Sequence, residues 1–435
     1  MAVTEESRDQ AQLGKARRPP APATLIDPQR YTSPEFARLE FERLWSRTWQ
    51  LACLDSDIPN PGDFSEYVIG DWSILVLRAA DGSLRAFHNV CAHRGRRIKT
   101  GCGTSDALQC PYHLWTWDLD GNLTHVPERQ TFCEFADADA ALQPVLVDQW
   151  QHWIFVNLDR NAEPLMDYLG ELPEILAPYR FDRQYKWSSR STRVKGNWKA
   201  MVDAFNEAYH ARGIHPESLT FINYTDYDVR LLGDHSMMVI PFGMPDVESV
   251  PTVPDYQEMM DAMEWSFAAF GEDTALVDFL RMCHLEPGQE LRELMVPLMR
   301  GGMAQSNIDV DALDDSQLVD DWHFYFFPNV VINNFSFGYW LFRFLPDACD
   351  PNYSTVDMWY FHRVPDTLET LPPPEPHVVI PQGETCGAVM DQDLGNVPIQ
   401  QAGLRSPAVP GLRLSSLEAR IVHMHDVLDR YLTGD

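Results

Sequence analysis

Apolar residues fall at helical spacing through residues 34–46, PEFARLEFERLWS, and predict an amphipathic helix. From about Trp49 to Asp159 the pattern changes to short runs of β-type residues broken by Gly, Pro and Asp, among them WSILVLR (72–78), LRAFHNV (84–90) and WIFVNL (153–158). Such runs predict a compact all-β domain. Beyond about Pro164 the two periods mix. NWKAMVDAFNEAYH (197–210) predicts a helix, and HSMMVIPF (235–242), VVINNFSF (330–337) and TVDMWYFHRV (355–364) predict strands. A helix-like stretch rich in Met, Leu and acids fills about 245–320. LSSLEARIVHMHDVLDRYL (414–432) predicts a terminal helix capped by Ser415 or Ser416. Strands followed by long helices indicate an α+β fold, with helices packed on a sheet. The expected layout is a flexible tail over 1–20, an N-terminal helix over 21–46 packing on the second domain, an all-β domain over 47–160, and an α+β domain over 161–435. The insertion at 245–320 is a possible lid.

Composition narrows the partners. The 435 residues include 34 basic and 64 acidic side chains, a formal charge of −30. Nucleic-acid binding rests on neutralising phosphates, so this balance argues against it, and against an anionic membrane surface. No stretch is apolar enough to span a bilayer, and Met1–Pro20 lacks the apolar core of a signal peptide. A cytoplasmic protein is expected. Its eight cysteines are sparse for the length, and in a reducing compartment cysteines spaced with histidines suggest metal before disulfides.

One such grouping stands in the all-β region. Cys91-x-His93 is followed, after sixteen residues, by Cys110-x-x-His113. A Rieske [2Fe–2S] cluster needs two thiolates on one iron and two imidazoles on the other, and each loop here can supply one of each. A zinc site is the rival, but Cys2His2 zinc sites commonly pair Cys with Cys and His with His.

The run NVCAHRGRRI…CPYHLWTWDLDG resembles the Rieske domain of the aromatic-ring-hydroxylating oxygenases, large (α) subunit, and the likeness extends from near Glu35 to near Tyr431. Members of that family often carry Gly directly after the last histidine, where this chain has Leu114; Cys102, between the loops, is not at a ligand position. The resemblance implies a Rieske domain followed by a catalytic domain whose antiparallel sheet is covered by helices.

A second grouping lies in NWKAMVDAFNEAYHARGIHPES. A mononuclear Fe(II) that must meet O2 needs open coordination positions, which two histidines and one carboxylate leave free. His210 and His215 supply the histidines, with a helix-plus-turn spacing forced by Pro216. The segment AVMDQDLGNVPIQQAGLRS resembles the family stretch that supplies the carboxylate, and its register favours Asp393, twelve residues before Arg405; Asp391 is the rival, since in a strand both would face one side. Glu207, three residues before His210, shares its helical face. In the family a carboxylate there bridges a Rieske histidine of a neighbouring subunit and an iron-binding histidine, which implies a homotrimer or a multiple of it, with a small β subunit possible. The position three before it is often Asn in the family; here it is Ala204.

Phe205, Phe335, Phe337 and the methionines from Met259 to Met303 are candidates for an apolar pocket, suited by the long insertion to a substrate larger than one ring. The resemblance implies a terminal oxygenase acting on an aromatic or other hydrophobic compound. Electrons would come from NAD(P)H through a separate reductase, with or without a ferredoxin, because the chain shows no convincing flavin or nicotinamide fingerprint. Two other classes compete: a non-catalytic Rieske electron carrier, and a zinc-stabilised carrier of hydrophobic ligands.

Overall fold

The structure is a computed structural model that describes residues 25–434 except 247–248, 251–253, 271–274, 287–288 and 349. The expected flexible tail and Cys349 lie outside the described residues. Two compact units are present. One comprises 37–170 with 346–350 and 430–435; the other runs to Phe36 and takes in 171–345 and 351–429. The predicted N-terminal helix is therefore shared: Pro34–Glu40 (α1) straddles the division, and the π-helical turn Phe41–Trp45 lies wholly in the first of these units.

The smaller unit is built of short strands. β1 (Gln50–Leu54), β2 (Asp63–Ile69), β3 (Trp72–Arg78), β4 (Leu84–His88), β5 (Cys102–Thr104), β6 (Leu108–Gln109), β7 (Thr116–Trp117), β8 (Leu123–His125), β9 (Leu146–Trp150) and β10 (Trp153–Asn157) form three sheets, ordered β4-β3-β2-β5, β6-β7-β8 and β1-β10-β9. β3 buries four residues in succession, Ile74–Leu77, and β10 buries all five, so neither shows the clean alternation of a half-exposed strand. Leu75, Leu77, Phe87, Leu108, Trp115 and Trp117 make one core, each worth on the order of 1.5–3 kcal/mol of burial. Gly121 turns the chain between Asp118 and Asn122 at φ 82°, where a Cβ would stand 2.5 Å from the Phe87 ring; only glycine satisfies both demands.

The larger unit is organised on an eight-stranded sheet. Its strands are β11 (Gln184–Val194), β12 (Asp228–Leu232), β13 (His235–Ile240), β14 (Asp321–Phe326), β15 (Val330–Phe335), β16 (Gly338–Pro346), β17 (Ser354–Arg363) and β18 (Val378–Ile380), in the order β12-β13-β14-β15-β16-β17-β11-β18. The recorded pairings are antiparallel except that of β18 with β11. Its helices include α2 (Trp198–Phe205), α3 (Ala211–Ile214), α4 (Tyr256–Phe270), α5 (Ala275–Arg281), α6 (Leu291–Gln305), α7 (Asp315–Val319), α8 (Ala388–Gly403) and α9 (Ala419–Thr433). α4 to α7 account for the insertion. Ser415 accepts a hydrogen bond from the Leu417 amide ahead of α9, as a cap there requires.

Two local assignments differ from the sequence reading, and both bear on the site. The helix predicted over 197–210 begins where expected, with the Asn197 side chain accepting from the Lys199 amide, but ends at Phe205. The His210 N–H that a continued helix would give to the residue 206 carbonyl goes instead to Glu207 Oε2, at 3.0 Å. Glu207 and His210 therefore meet across a turn, not along a helical face. The segment 388–403 is a helix, so Asp391 and Asp393 project in nearly opposite directions. Met390, Asp393, Val397 and Gln401 form its buried stripe at three- and four-residue spacing.

Candidate metal centres

Two matching loops carry the Cys/His pairs of the smaller unit. In the first, the Cys91 N–H donates to the Arg96 carbonyl (2.8 Å) and the Gly95 N–H to the Cys91 carbonyl (2.9 Å); in the second, Cys110 N–H donates to Trp115 O (2.9 Å) and Leu114 N–H to Cys110 O (3.0 Å). The repeat of one hydrogen-bond pattern presents a Cys and a His from each loop. Cys91 and Cys110 are buried, and the His93 and His113 rings lie 4.5 Å apart. Nδ1 of both rings is buried without a hydrogen-bond partner among the described residues. Two buried, orphaned imidazole nitrogens beside two buried thiols need an acceptor for their lone pairs, and a [2Fe–2S] cluster meets that need. Burial pushes the Cys91 thiol up, opposed by the backbone N–H groups of His93 and Arg94 that face its sulfur. Trp115 stacks on His93, centroids 5.1 Å apart, and Phe135 stacks on Trp115, so the cluster loops rest on an aromatic base.

Leu114 holds φ 60° with its side chain half exposed. The left-handed region costs a residue with a Cβ roughly 1–2 kcal/mol, which explains why glycine suits this place. Leu114→Gly recovers that strain less the extra entropy of an unfolded glycine, about 0.4–1 kcal/mol. The expected result is a slightly higher melting temperature with an unchanged cluster absorption spectrum; a lower melting temperature would mean that Leu114 contributes packing greater than its strain.

In the larger unit His210, His215 and Asp393 bring one ligand atom each within 4.8 Å of one another. Asp393 Oδ1 lies 3.0 Å from His215 Nε2 and 3.7 Å from His210 Nε2. The opposite ring nitrogens are engaged: His210 Nδ1 with Glu207 Oε1 at 2.6 Å, and His215 Nδ1 with Gln392 Oε1 at 2.7 Å. Holding each Nδ1–H on an oxygen leaves both Nε2 lone pairs converging on the carboxylate, the arrangement a 2-His-1-carboxylate iron site needs. Burial works to lower the pKa of His210, but the charge and hydrogen bond of Glu207, aided by Asp393, outweigh it and leave it raised. Gln392 is a residue the sequence reading missed; its place beside Asp393 in the motif was the available signal. Asp391 turns away, its Oδ1 accepting from the Cys386 amide and its Oδ2 from the Thr385 hydroxyl.

The triad opens into a cavity of about 150 Å³. Phe205, Phe242, Trp265, Phe270, Phe335 and Trp340 give it aromatic walls, and α4 of the insertion contributes two of them. This volume matches a cavity that takes about one benzene ring, less than the insertion's length suggested. Ala204, Phe205 and Phe335 line it; Phe337 does not. Phe337 stacks on Phe335, centroids 5.1 Å apart, and faces a second cavity of about 550 Å³ among α4, α5 and α6. Met259, Met260 and Met263 are buried in the core, while Met299 and Met303 line the second cavity. Asp321, His323 and Asn333, unremarked in the sequence, form a polar stretch of the first cavity's wall.

Comparison with known proteins agrees with this geometry. The family model for the ring hydroxylating alpha subunit (catalytic domain) matches residues 180–434, more than half of the chain, and that for the Rieske [2Fe-2S] domain matches 48–144. The glycine betaine monooxygenase oxygenase subunit of Chromohalobacter salexigens is 36% identical over 201 residues, covering 46% of this chain and 45% of that protein. The carnitine monooxygenase oxygenase subunit of Escherichia coli K12 is 34% identical over 201 residues (45% and 54%), and the chloroplastic choline monooxygenase of Spinacia oleracea 30% over 220 (49% and 50%). The matches thus span about half the length of these curated relatives. Among solved structures, a quaternary ammonium Rieske monooxygenase in complex with L-carnitine superposes with a TM-score of 0.66 at 19% identity, covering 94% of this chain and 95% of that one. Naphthalene 1,2-dioxygenase from Rhodococcus sp. superposes with a TM-score of 0.64, also at 19% identity, covering 94% and 95%. These likenesses establish the fold. Two family models in tandem, one of them over most of the larger unit, establish more: the chain belongs to the ring-hydroxylating α-subunit family of Rieske oxygenases.

Proposed function

We propose that this chain is the terminal oxygenase of a multicomponent system, inserting oxygen from O2 into a compact organic substrate bound beside His210, His215 and Asp393. The observation that supports it is the conjunction, in one chain, of two Cys/His loops with orphaned imidazoles and a separate two-histidine, one-carboxylate triad at the mouth of a cavity. When bound, the [2Fe–2S] cluster supplies single electrons and the Fe(II) centre supplies O2 activation. The chain's own part is positional. Glu207 and Gln392 fix the two histidine rings, Asp393 brings the compensating charge, and the aromatic walls hold substrate away from water. An electron carrier or a zinc-stabilised carrier gives no reason for the triad.

The substrate we favour is a quaternary ammonium compound, in place of the aromatic or other hydrophobic compound expected from sequence. Three relatives bear names of that class, and aromatic faces around a cavity of this size bind such cations through their ring quadrupoles. NAD(P)H electrons arrive through a separate reductase, with or without a ferredoxin, and the working assembly is a homotrimer or a multiple of it. Among the described residues no helix is long and apolar enough to cross a membrane.

Incubating the iron-loaded protein with a surrogate reductase, NADH and a panel of quaternary ammonium and single-ring aromatic compounds tests this reading. The expected result is substrate-dependent O2 uptake coupled to a hydroxylated or dealkylated product from the ammonium set. Iron near two atoms per chain with no product from any compound would instead indicate an electron carrier.

A further inference from the structure

We propose that Asp321 is the specificity-determining residue of the metal-side cavity, holding a compact ammonium cation by charge. The proposal rests on the oxygenase reading only in taking this cavity as the substrate site. Among the described residues three carboxylates line the cavity: Glu207, Asp321 and Asp393. Glu207 is committed to His210, and Asp393 to the triad. Asp321 has no such commitment. It begins β14, a strand buried at every position. Its Oδ2 accepts a hydrogen bond from Asn333 Nδ2 at 2.6 Å, across the β14–β15 pairing, while its Oδ1 is buried without a hydrogen-bond partner among the described residues. Asn333 is neutral, so it satisfies a lone pair and leaves the charge.

The cations nearby do not supply the missing partner. His323, two residues on and on the same face of the strand, has its Nδ1 facing Arg420 Nη1 at 3.0 Å. A guanidinium only donates, so that nitrogen accepts and the His323 proton sits on Nε2. Burial first, and the Arg420 charge second, hold His323 well below its ordinary pKa, so it is neutral. Arg420 hydrogen-bonds Ser236 and His323 but not Asp321, and only its longer-range field reaches that carboxylate. Burial, aided by the Asp320 charge, pushes Asp321 up to about 7 against the Asn333 side chain, the Arg420 charge and the Asn334 backbone N–H. A buried carboxylate with one bare oxygen is costly, and a cation entering the cavity restores the charged form. A quaternary ammonium has no N–H to donate. It therefore needs charge and ring faces, and Trp265, Phe270 and Trp340 line the same cavity.

The test uses a pair of probes of one shape. Choline and 3,3-dimethylbutan-1-ol differ in having N⁺ or carbon at the branch point. Each is titrated anaerobically, without reductase, into the cluster- and iron-loaded protein, with heat of binding followed by calorimetry. The parent protein is expected to bind choline at least about tenfold more tightly than the neutral alcohol. Asp321→Asn should abolish that preference by weakening choline alone, and Asp321→Glu should keep it. Melting curves and the cluster spectrum report whether each variant folds; if Asp321→Asn does not, Asp321→Ser, which also removes the charge, is read in its place. Equal affinities in the parent, binding of neither probe, or a preference that survives Asp321→Asn would each overturn the proposal. Because no turnover is involved, these outcomes are separate from the oxygenase reading, which stands if neutral compounds are oxygenated without charge preference.

Discussion

Asp393→Ala should lower the iron content of the purified protein from about three atoms per chain to about two, leaving the Rieske-type EPR signal of the reduced protein intact. The expectation follows from position. Asp393 lies on the buried stripe of α8 with Met390, Val397 and Gln401, and its Oδ1 faces both His215 and His210. Removing the only anion of a two-histidine, one-carboxylate set leaves two neutral ligands for a dication, and product formation should fall to background. Asp391→Ala is the control. That side chain ties Thr385 and the Cys386 amide to the start of α8, so its loss should cost about 1 kcal/mol of stability, as capping losses do, and no iron. Iron lost from Asp391→Ala and kept by Asp393→Ala would place the ligand two residues away from where the helix puts it.

The contrast between these two residues shows what could be read from the chain alone. The Cys91/His93 and Cys110/His113 set was legible because ligand type and short spacing carry the chemistry, and a loop of three or four residues has few ways to present them. The triad was legible only by resemblance, since His210, His215 and Asp393 meet through tertiary structure. The local backbone was read less well. A helix to residue 210 fits the propensities, but the Glu207 carboxylate captures the His210 amide and the helix stops at Phe205. The α8 segment has a weak amphipathic pattern, with Gly395 and Pro398 inside it, so neither period dominates. Asp321 and His323 were visible in principle as two polar residues at i and i+2 in the apolar run DWHFYF. Their meaning depends on Asn333 and on Arg420, which lies about a hundred residues further along the chain, and no local pattern announces that. Phe337 failed for a simpler reason. It follows Phe335 by two, but β15 ends between them at Phe335, and the ring faces the neighbouring cavity.

A second large kinetic effect is expected at a residue outside the two-histidine, one-carboxylate triad. Both oxygens of Glu207 serve His210, Oε1 the ring Nδ1 and Oε2 the backbone N–H. A carboxylate on the outer nitrogen of a ligand histidine fixes the ring and raises its basicity, and losing such partners typically costs 10–100-fold. Family resemblance adds a second role, a link from this carboxylate to a Rieske histidine of a neighbouring subunit, which makes Glu207 the proposed path between centres. The two roles separate in Glu207→Gln. The amide keeps the shape and its oxygen can still accept from Nδ1–H, at the cost of the acceptor for the His210 backbone N–H, so the ring stays oriented and iron content and cluster spectrum should match the parent. If Glu207 only orients His210, turnover should fall modestly, toward the lower end of that range. If it also couples the centres, turnover should fall about a hundredfold or more while reductase still bleaches the cluster band at the parent rate. Product per chain in a single turnover, started from fully reduced protein without reductase, should then drop with it. Full metal content and near-parental product from Glu207→Gln would reduce Glu207 to a buried acid that shapes a turn.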